Sequence, residues 1–302
     1  LNSPLGIAIF APSSGPLDDS VIQRGLLKLE ELGFSVHNYY QPEQRYQRFG
    51  ASDAQRAAQI HMAAENPDVQ IVMALRGGYG LSRLLPELDF QRLAESGKCF
   101  VGHSDFTAFQ LALLAKTGSA SFTGPMLCDD FTRTETSDFT IDSFLNSLRA
   151  DRHAVSFSSA GGLDIKVTGK LWGSNLAMLT HLIGTPYFPD VEGGILFVED
   201  IAEHPYRVER MMLQLHYAGI LQKQKAIVFG DFSGYQLGAN DNGYNFDEML
   251  RYLRATIPVP MLTGLPFGHI KDKATLVFGA DAELSCVDGQ AEIRMPGWPA
   301  LK

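Results

Sequence analysis

Lys98 to Thr117 reads KCFVGHSDFTAFQLALLAKT. Cys99 to Val101 is a short apolar run, as in a buried strand. From Asp105 to Lys116 the apolar residues Phe106, Phe109, Leu111, Leu113 and Leu114 fall at helical spacing, so a helix is expected there. Ser104 stands at the strand-to-helix corner. A serine there exposes its hydroxyl at the carboxyl end of a sheet, with the N–H groups of the new helix pointing towards anything bonded to that oxygen. This is the arrangement of a nucleophile elbow. A helix N-cap puts the same residue type in the same place, because Ser is a preferred cap. The stretch alone leaves both readings open.

Upstream, strands and helices alternate. Gly6 to Phe10 is expected as a strand, Asp18 to Leu32 as an amphipathic helix and Ser35 to Tyr39 as a strand. Ser52 with Gln55 has the form of a capping box opening a helix that runs to Glu65. Val69 to Leu75 is a buried strand that ends at Arg76-Gly77-Gly78-Tyr79-Gly80, and short helices follow near Leu81–Leu85 and Asp89–Ser96. Such alternation predicts an α/β fold with a parallel sheet covered on both faces. Sites in open α/β sheets form beyond the carboxyl ends of the strands, which brings RGGYG beside Ser104. The glycines at 77 and 78 admit a ligand close to the backbone. One of their amides, with that of Asp105, would form an oxyanion hole. RGGYG has neither the Walker nor the dinucleotide spacing, and its plain alternative is a turn.

After Gly124-Pro125 the pattern changes. Asp129 to Ala160 is polar and rich in Thr, Ser and Asp, with one helical stretch near Phe139–Leu148. The expected division is a first domain over 1–127, a linker over 128–162 and a second domain over 163–302. In the last part, Leu163–Leu171 alternates like a strand, Trp172-Gly173-Ser174-Asn175 reads as a turn, and Leu176–Ile183 as a helix. Gly194–Val198 and Lys225–Phe229 read as strands, Tyr206–Ala218 and Phe246–Ala255 as helices, and Leu276–Met295 as short antiparallel strands.

The chain has 302 residues, 45% hydrophobic and 20% charged, an ordinary globular composition. A net charge of -9 argues against nucleic acid as a partner, since phosphate neutralisation needs a basic face. Three cysteines without metal-type spacing point to a reducing compartment. No apolar run has membrane-spanning length. LNSPLGIAIFAPSSG, from Leu1, lacks the basic segment and long apolar run of a signal peptide, so the cytoplasm is the expected location.

A serine nucleophile needs a base, and the base an orienting partner. Of the eight histidines, His37, His61, His153 and His216 lie in expected helices, strands or linker, and His181 lies in an apolar helix. His103 adjoins Ser104 but would face the other way, because neighbours on a strand alternate. His204 caps a helix as readily as it catalyses. His269 is the candidate base: it lies in Leu265-Pro266-Phe267-Gly268-His269, where the chain must turn. Glu199 and Asp200 end a buried strand; Asp200 looks the better cap for the next helix, leaving Glu199 as the candidate orienting acid, ahead of Glu192 and Glu203. There is no HExxH, so no zinc peptidase pattern, and no carboxylate pair is distinctively placed.

Taken together, these pieces resemble the serine LD-carboxypeptidases, the muramoyltetrapeptide carboxypeptidases of murein recycling. The matching stretches are RGGYGLSRLL (Arg76–Leu85), GHSDFTA (Gly102–Ala108), GPML (Gly124–Leu127), GKLWGSNLAML (Gly169–Leu179), IGTP (Ile183–Pro186), ILFVEDIAEHPYRVERMMLQL (Ile195–Leu215) and FGH (Phe267–His269). One departure is Ser174, where the family usually has a second glycine before Asn175. The resemblance implies a flavodoxin-like first domain bearing Ser104 and a smaller β-rich α/β domain bearing Glu199 and His269. It implies a triad of Ser104 as nucleophile, His269 as base and Glu199 as orienting acid, with no metal and no cofactor. The implied reaction is hydrolysis of the terminal D-Ala of a murein tetrapeptide by a cytoplasmic homodimer. Arg76 and Arg83, flanking the glycine loop, would clamp substrate carboxylates or else make structural ion pairs. Trp172 and Asn175 would line the pocket wall. Two alternatives stand beside this: a family member that cleaves a peptide–nucleotide antibiotic, and a non-catalytic peptide-binding protein on the same scaffold.

Overall fold

The structure is a computed structural model in which residues 4–161 and 163–301 are described. Leu1, where the N-terminal reading begins, Gly162 of the expected linker and the final Lys302 lie outside them.

Five strands make the parallel part of the first sheet: β1 (Gly6–Phe10), β2 (Ser35–Asn38), β3 (Ile71–Ala74), β4 (Cys99–Gly102) and β5 (Ser121–Thr123). β1, β3 and β4 are buried at every residue, as continuous apolar strands covered on both faces must be. The covering helices are α1 (Ile22–Glu31), α2 (Asp53–Glu65), α3 (Leu81–Leu84), α4 (Phe90–Glu95) and α5 (Thr107–Thr117). The capping box of α2 forms: Ser52 Oγ accepts from Gln55 N, and Gln55 Oε1 accepts from Ser52 N. The strand order β2-β1-β3-β4-β5 is flavodoxin-like, and the loops after β1, β3 and β4 meet at one edge.

The second half runs through α6 (Asp138–Arg149), β6 (Arg152–Ser158), β7 (Ile165–Asn175), α7 (Leu176–His181), β8 (Ile195–Ile201), α8 (Pro205–Tyr217), β9 (Ala226–Ser233) and α9 (Phe246–Thr256). It ends with β10 (Met261–Leu262), β11 (Leu276–Phe278), β12 (Asp281–Val287) and β13 (Gln290–Pro296). The second sheet has the order β10-β9-β8-β7-β12-β13-β6, parallel from β10 to β7 and antiparallel from β7 to β6. β11 leaves it and pairs antiparallel with β5, so a late piece of the chain closes the edge of the first sheet.

Two sequence expectations are corrected. The stretch 128–162, expected as a linker with a helical stretch near Phe139–Leu148, carries that helix as α6 but is no linker, because its β6 forms an edge of the second sheet. Its polar look comes from strict alternation: His153, Val155 and Phe157 are buried while Arg152, Ala154, Ser156 and Ser158 face solvent. The expected turn at Trp172–Asn175 is the end of β7, parallel to β8, with Asn175 level with Glu199. No helix among the described residues is long and apolar enough to cross a membrane.

Candidate active site

Ser104 leaves β4 with φ of 63°, in the left-handed region that a side chain enters at a cost. A single tight turn, Ser104–Phe106, precedes α5. No side-chain capping bond is made at the start of that turn or of α5. The hydroxyl is turned instead to His269, whose Nε2 lies 3.1 Å from Ser104 Oγ. On the other side of the ring, His269 Nδ1 lies 2.8 Å from Glu199 Oε2. The N-cap alternative for Ser104 therefore has no bond to support it.

Glu199 is fully buried, and a register shift between Val198 and Asp200 in the β8–β9 pairing falls at this residue. Such a bulge re-aims a side chain at a strand end. Asn175, beside it on β7, donates from Nδ2 to Glu199 Oε1 at 3.1 Å and to Asp200 Oδ1 at 3.0 Å. Burial pulls the His269 pKa down, but the hydrogen bond and charge of Glu199 outweigh it and leave the imidazole above its ordinary value. An imidazole held this way can take the Ser104 proton and keep the resulting charge.

The first-sheet loops are drawn tightly around Ser104. A Cβ on Gly77 would lie 2.8 Å from both Cβ and Oγ of Ser104 and 3.5 Å from the Asp105 amide nitrogen. Gly78 has φ of 98°, and a Cβ there would strike Ser14 Oγ at 2.5 Å. The Asp105 carboxylate accepts from Ser13 Oγ at 2.6 Å and from Leu81 N at 2.9 Å, tying together the loops after β1, β3 and β4. Burial raises its pKa, against those hydrogen bonds. The absence of a side chain on Gly77 thus lets the loop after β3 come against Ser104 beside the Asp105 amide. All this opens into a cleft of about 590 Å³ between the two halves, lined by residues of both, among them Gly77, Ser104, Asn175 and His269.

The sequence matches known proteins over both halves. Residues 7–124 match the LD-carboxypeptidase N-terminal domain, and residues 168–284 the LD-carboxypeptidase C-terminal domain. This chain belongs to the LD-carboxypeptidase family. A crystal structure of a muramoyltetrapeptide carboxypeptidase from Oxalobacter formigenes is 52% identical, with a TM-score of 0.93 over 96% of this chain and 98% of that one. The murein tetrapeptide carboxypeptidase of Pseudomonas aeruginosa is 30% identical over 92% of each chain. The microcin C7 self-immunity protein of Escherichia coli is 26% identical over 74% of each.

In this LD-carboxypeptidase, Arg76 lines the cleft with its guanidinium on Gly15 O at 2.8 Å. Arg83 and Trp172 do not line it. Arg83 pairs with Asp53 at 2.6 Å and stacks over Phe49, so of its two readings the structural one is observed. Trp172 is fully buried on the far face of β7, donating Nε1 to Gln224 Oε1 at 2.9 Å. Once 172–175 is a strand and not a turn, alternation sends Trp172 away from Asn175's surroundings.

Asp200 does not cap the following helix, whose cap is His204. Its Oδ2 accepts from Ala177 N at 2.9 Å, on the first turn of α7. Burial and the neighbouring Glu199 push its pKa up to about 6. His103 does not face away from the site. Ser104 has already left the strand, so alternation fails, and the His103 ring sits 5.3 Å from that of His269. Burial, with Lys273 and His269 nearby, holds His103 well below the ordinary imidazole value, and its Nδ1 meets Gly124 O at 2.9 Å. The sequence reading also missed Lys273 and Arg133, both on the cleft. Lys273 follows His269 by four residues, the one available signal; Arg133 lies in the stretch taken for a linker.

Proposed function

We propose that this LD-carboxypeptidase is a serine hydrolase that removes the terminal D-Ala from murein tetrapeptides. The observation that carries the reading is the relay Ser104 Oγ–His269 Nε2–Nδ1–Glu199 Oε2, assembled from three distant points of the chain on one cleft. The names of the relatives supply the substrate class. In the reaction, His269 takes the Ser104 proton as Ser104 Oγ attacks the carbonyl that joins the L-centre of the third residue to D-Ala. The Asp105 amide, with that of Gly77 or Gly78, stabilises the oxyanion. His269 then gives its proton to the leaving nitrogen, D-Ala departs, and water activated by His269 frees the tripeptide and restores Ser104. Glu199 holds the imidazole in the correct tautomer and balances its charge throughout, with Asn175 holding Glu199.

The proposal extends to a cytoplasmic homodimer, with Ser104 on a unit ending near residue 127 and Glu199 and His269 on a second unit that takes in β6. The relay argues against a non-catalytic binding protein, because burying the Glu199 carboxylate and ordering His269 and Ser104 in line with it without use is costly. The self-immunity relative keeps a second substrate alive: an aminoacyl chain linked to a nucleotide, of the kind represented by the aspartyl sulfamoyl adenosine held in a solved structure of a microcin C7 self-immunity protein. Parallel assays on a murein tetrapeptide and an aminoacyl sulfamoyl adenosine separate them. The proposal expects kcat/KM at least about a hundredfold higher for the tetrapeptide, a ratio that buried polar recognition supplies readily. The opposite preference would replace the murein reading with the nucleotide one.

A further inference from the structure

Lys273 is an unusual wall for a catalytic cleft. Its side chain is 3% exposed, and its ammonium is 2.6 Å from Asp130 Oδ1. The other oxygen of Asp130 is taken by the Met126 amide at 2.9 Å. The backbone N–H of Lys273 donates to Thr140 Oγ1 at 2.9 Å, which fixes the loop that carries it. An ammonium has three N–H donors, so the bond to Asp130 leaves donors available on the cleft side.

We propose that Lys273 is the specificity residue that receives the free carboxylate of the leaving D-amino acid. This rests on the hydrolytic reading above. The leaving nitrogen must meet His269 Nε2 to collect its proton. The carboxylate of the same amino acid lies only two bonds further on, so the cation that binds it must stand on the His269 side of the cleft. Three cations line the cleft: Arg76, Arg133 and Lys273. Arg76 follows β3 on the first-sheet side of the cleft, where it donates to Gly15 O, and Arg133 is exposed. Lys273 shares its loop with His269, and its charge acts on the imidazoles of both His269 and His103.

Asp130 makes this arrangement workable. A lone buried ammonium would be costly; paired, it is desolvated when the protein folds and not when substrate arrives. An incoming carboxylate then shares an already ordered cation. A peptide that continues beyond the scissile bond, or ends in an amide, brings no anion and leaves those donors unpaired. Buried polar groups left unpaired reject such substrates strongly.

The test compares a murein tetrapeptide with the same peptide ending in D-alaninamide, as a ratio of kcat/KM. The intact enzyme is expected to favour the acid by about a hundredfold or more. In the double variant Lys273→Met with Asp130→Asn, which leaves no orphaned charge and keeps an acceptor for Met126, the ratio should fall to within about tenfold. Lys273→Arg should restore much of it. A ratio measured within one preparation is independent of the fraction folded. No preference for the acid in the intact enzyme, or a preference undiminished in the double variant, overturns the assignment alone. Failure of the intact enzyme to release D-Ala overturns the hydrolytic reading and the assignment with it.

Discussion

Ser104 is held where two constraints meet: a positive φ turns its hydroxyl out of β4, and Gly77 leaves room for nothing larger than hydrogen beside it. Gly77→Ala would push a methyl group into Ser104, and displacement of reacting groups by about 1 Å costs on the order of a hundredfold in rate. We expect that loss in kcat with a nearly native circular dichroism spectrum; full activity would mean the loop is free to give way. His269 carries a sharper signature. Glu199 raises its pKa, and a base must be neutral, so the acid limb of kcat/KM against pH should lie above the position of an ordinary histidine. Glu199→Gln removes the main raising charge and leaves burial and Lys273, which lower the pKa, against only the smaller raising effect of Asp200. The limb should therefore move to lower pH while the plateau drops by on the order of 10² to 10⁴. A limb that stays in place would show that Glu199 does not set the base. At this scale the sequence was legible where chemistry coincides with a turn, as at Ser104 and His269, or with an acid closing a buried strand, as at Glu199, and the structure brings these three together. It was blind to Lys273 and Arg133, because a lysine or arginine in a loop reads as solvated until the fold encloses it.

Among the elements, β7 and β8 matter most for the site. Their parallel register sets Asn175 beside Glu199, so the orienting acid is itself oriented by the neighbouring strand. The approach to Asn175 is strained: Ser174 has φ of 78°, and its buried Oγ has no hydrogen-bond partner. Ser174→Gly, the residue the family usually carries there, should stabilise the protein by about 1 kcal/mol, since a left-handed residue with a Cβ costs about that much. A urea midpoint that is unchanged or lower would contradict this. The same strand shows why periodicity misled at 172–175: a glycine followed by a strained serine has the composition of a turn, yet the residues stay in the ladder. β6 was hidden differently, because an edge strand that alternates in and out has half its residues polar. In the first sheet β1, β3 and β4 were readable because burial on both faces forces an unbroken apolar run.

Across the whole molecule, the cleft lies where the carboxyl-end loops of a flavodoxin-like sheet meet the ends of β7 and β8 and the loop before β11. Neither half holds the relay alone, since Ser104 comes from one and Glu199 and His269 from the other. β11 reinforces the join by pairing with β5 of the first sheet. This long-range stitching was invisible to local pattern, which sees a strand but not the sheet it will choose. The central claim, that Ser104 drives removal of a terminal D-Ala without a metal, is met most directly by mass spectrometry of a murein tetrapeptide incubated with the enzyme in chelator, beside Ser104→Ala. The account predicts loss of one D-Ala with the intact enzyme, and a rate lower by several orders of magnitude, about 10⁴ or more, in a folded Ser104→Ala protein. Equal release by the variant, or release that the chelator abolishes, would contradict it.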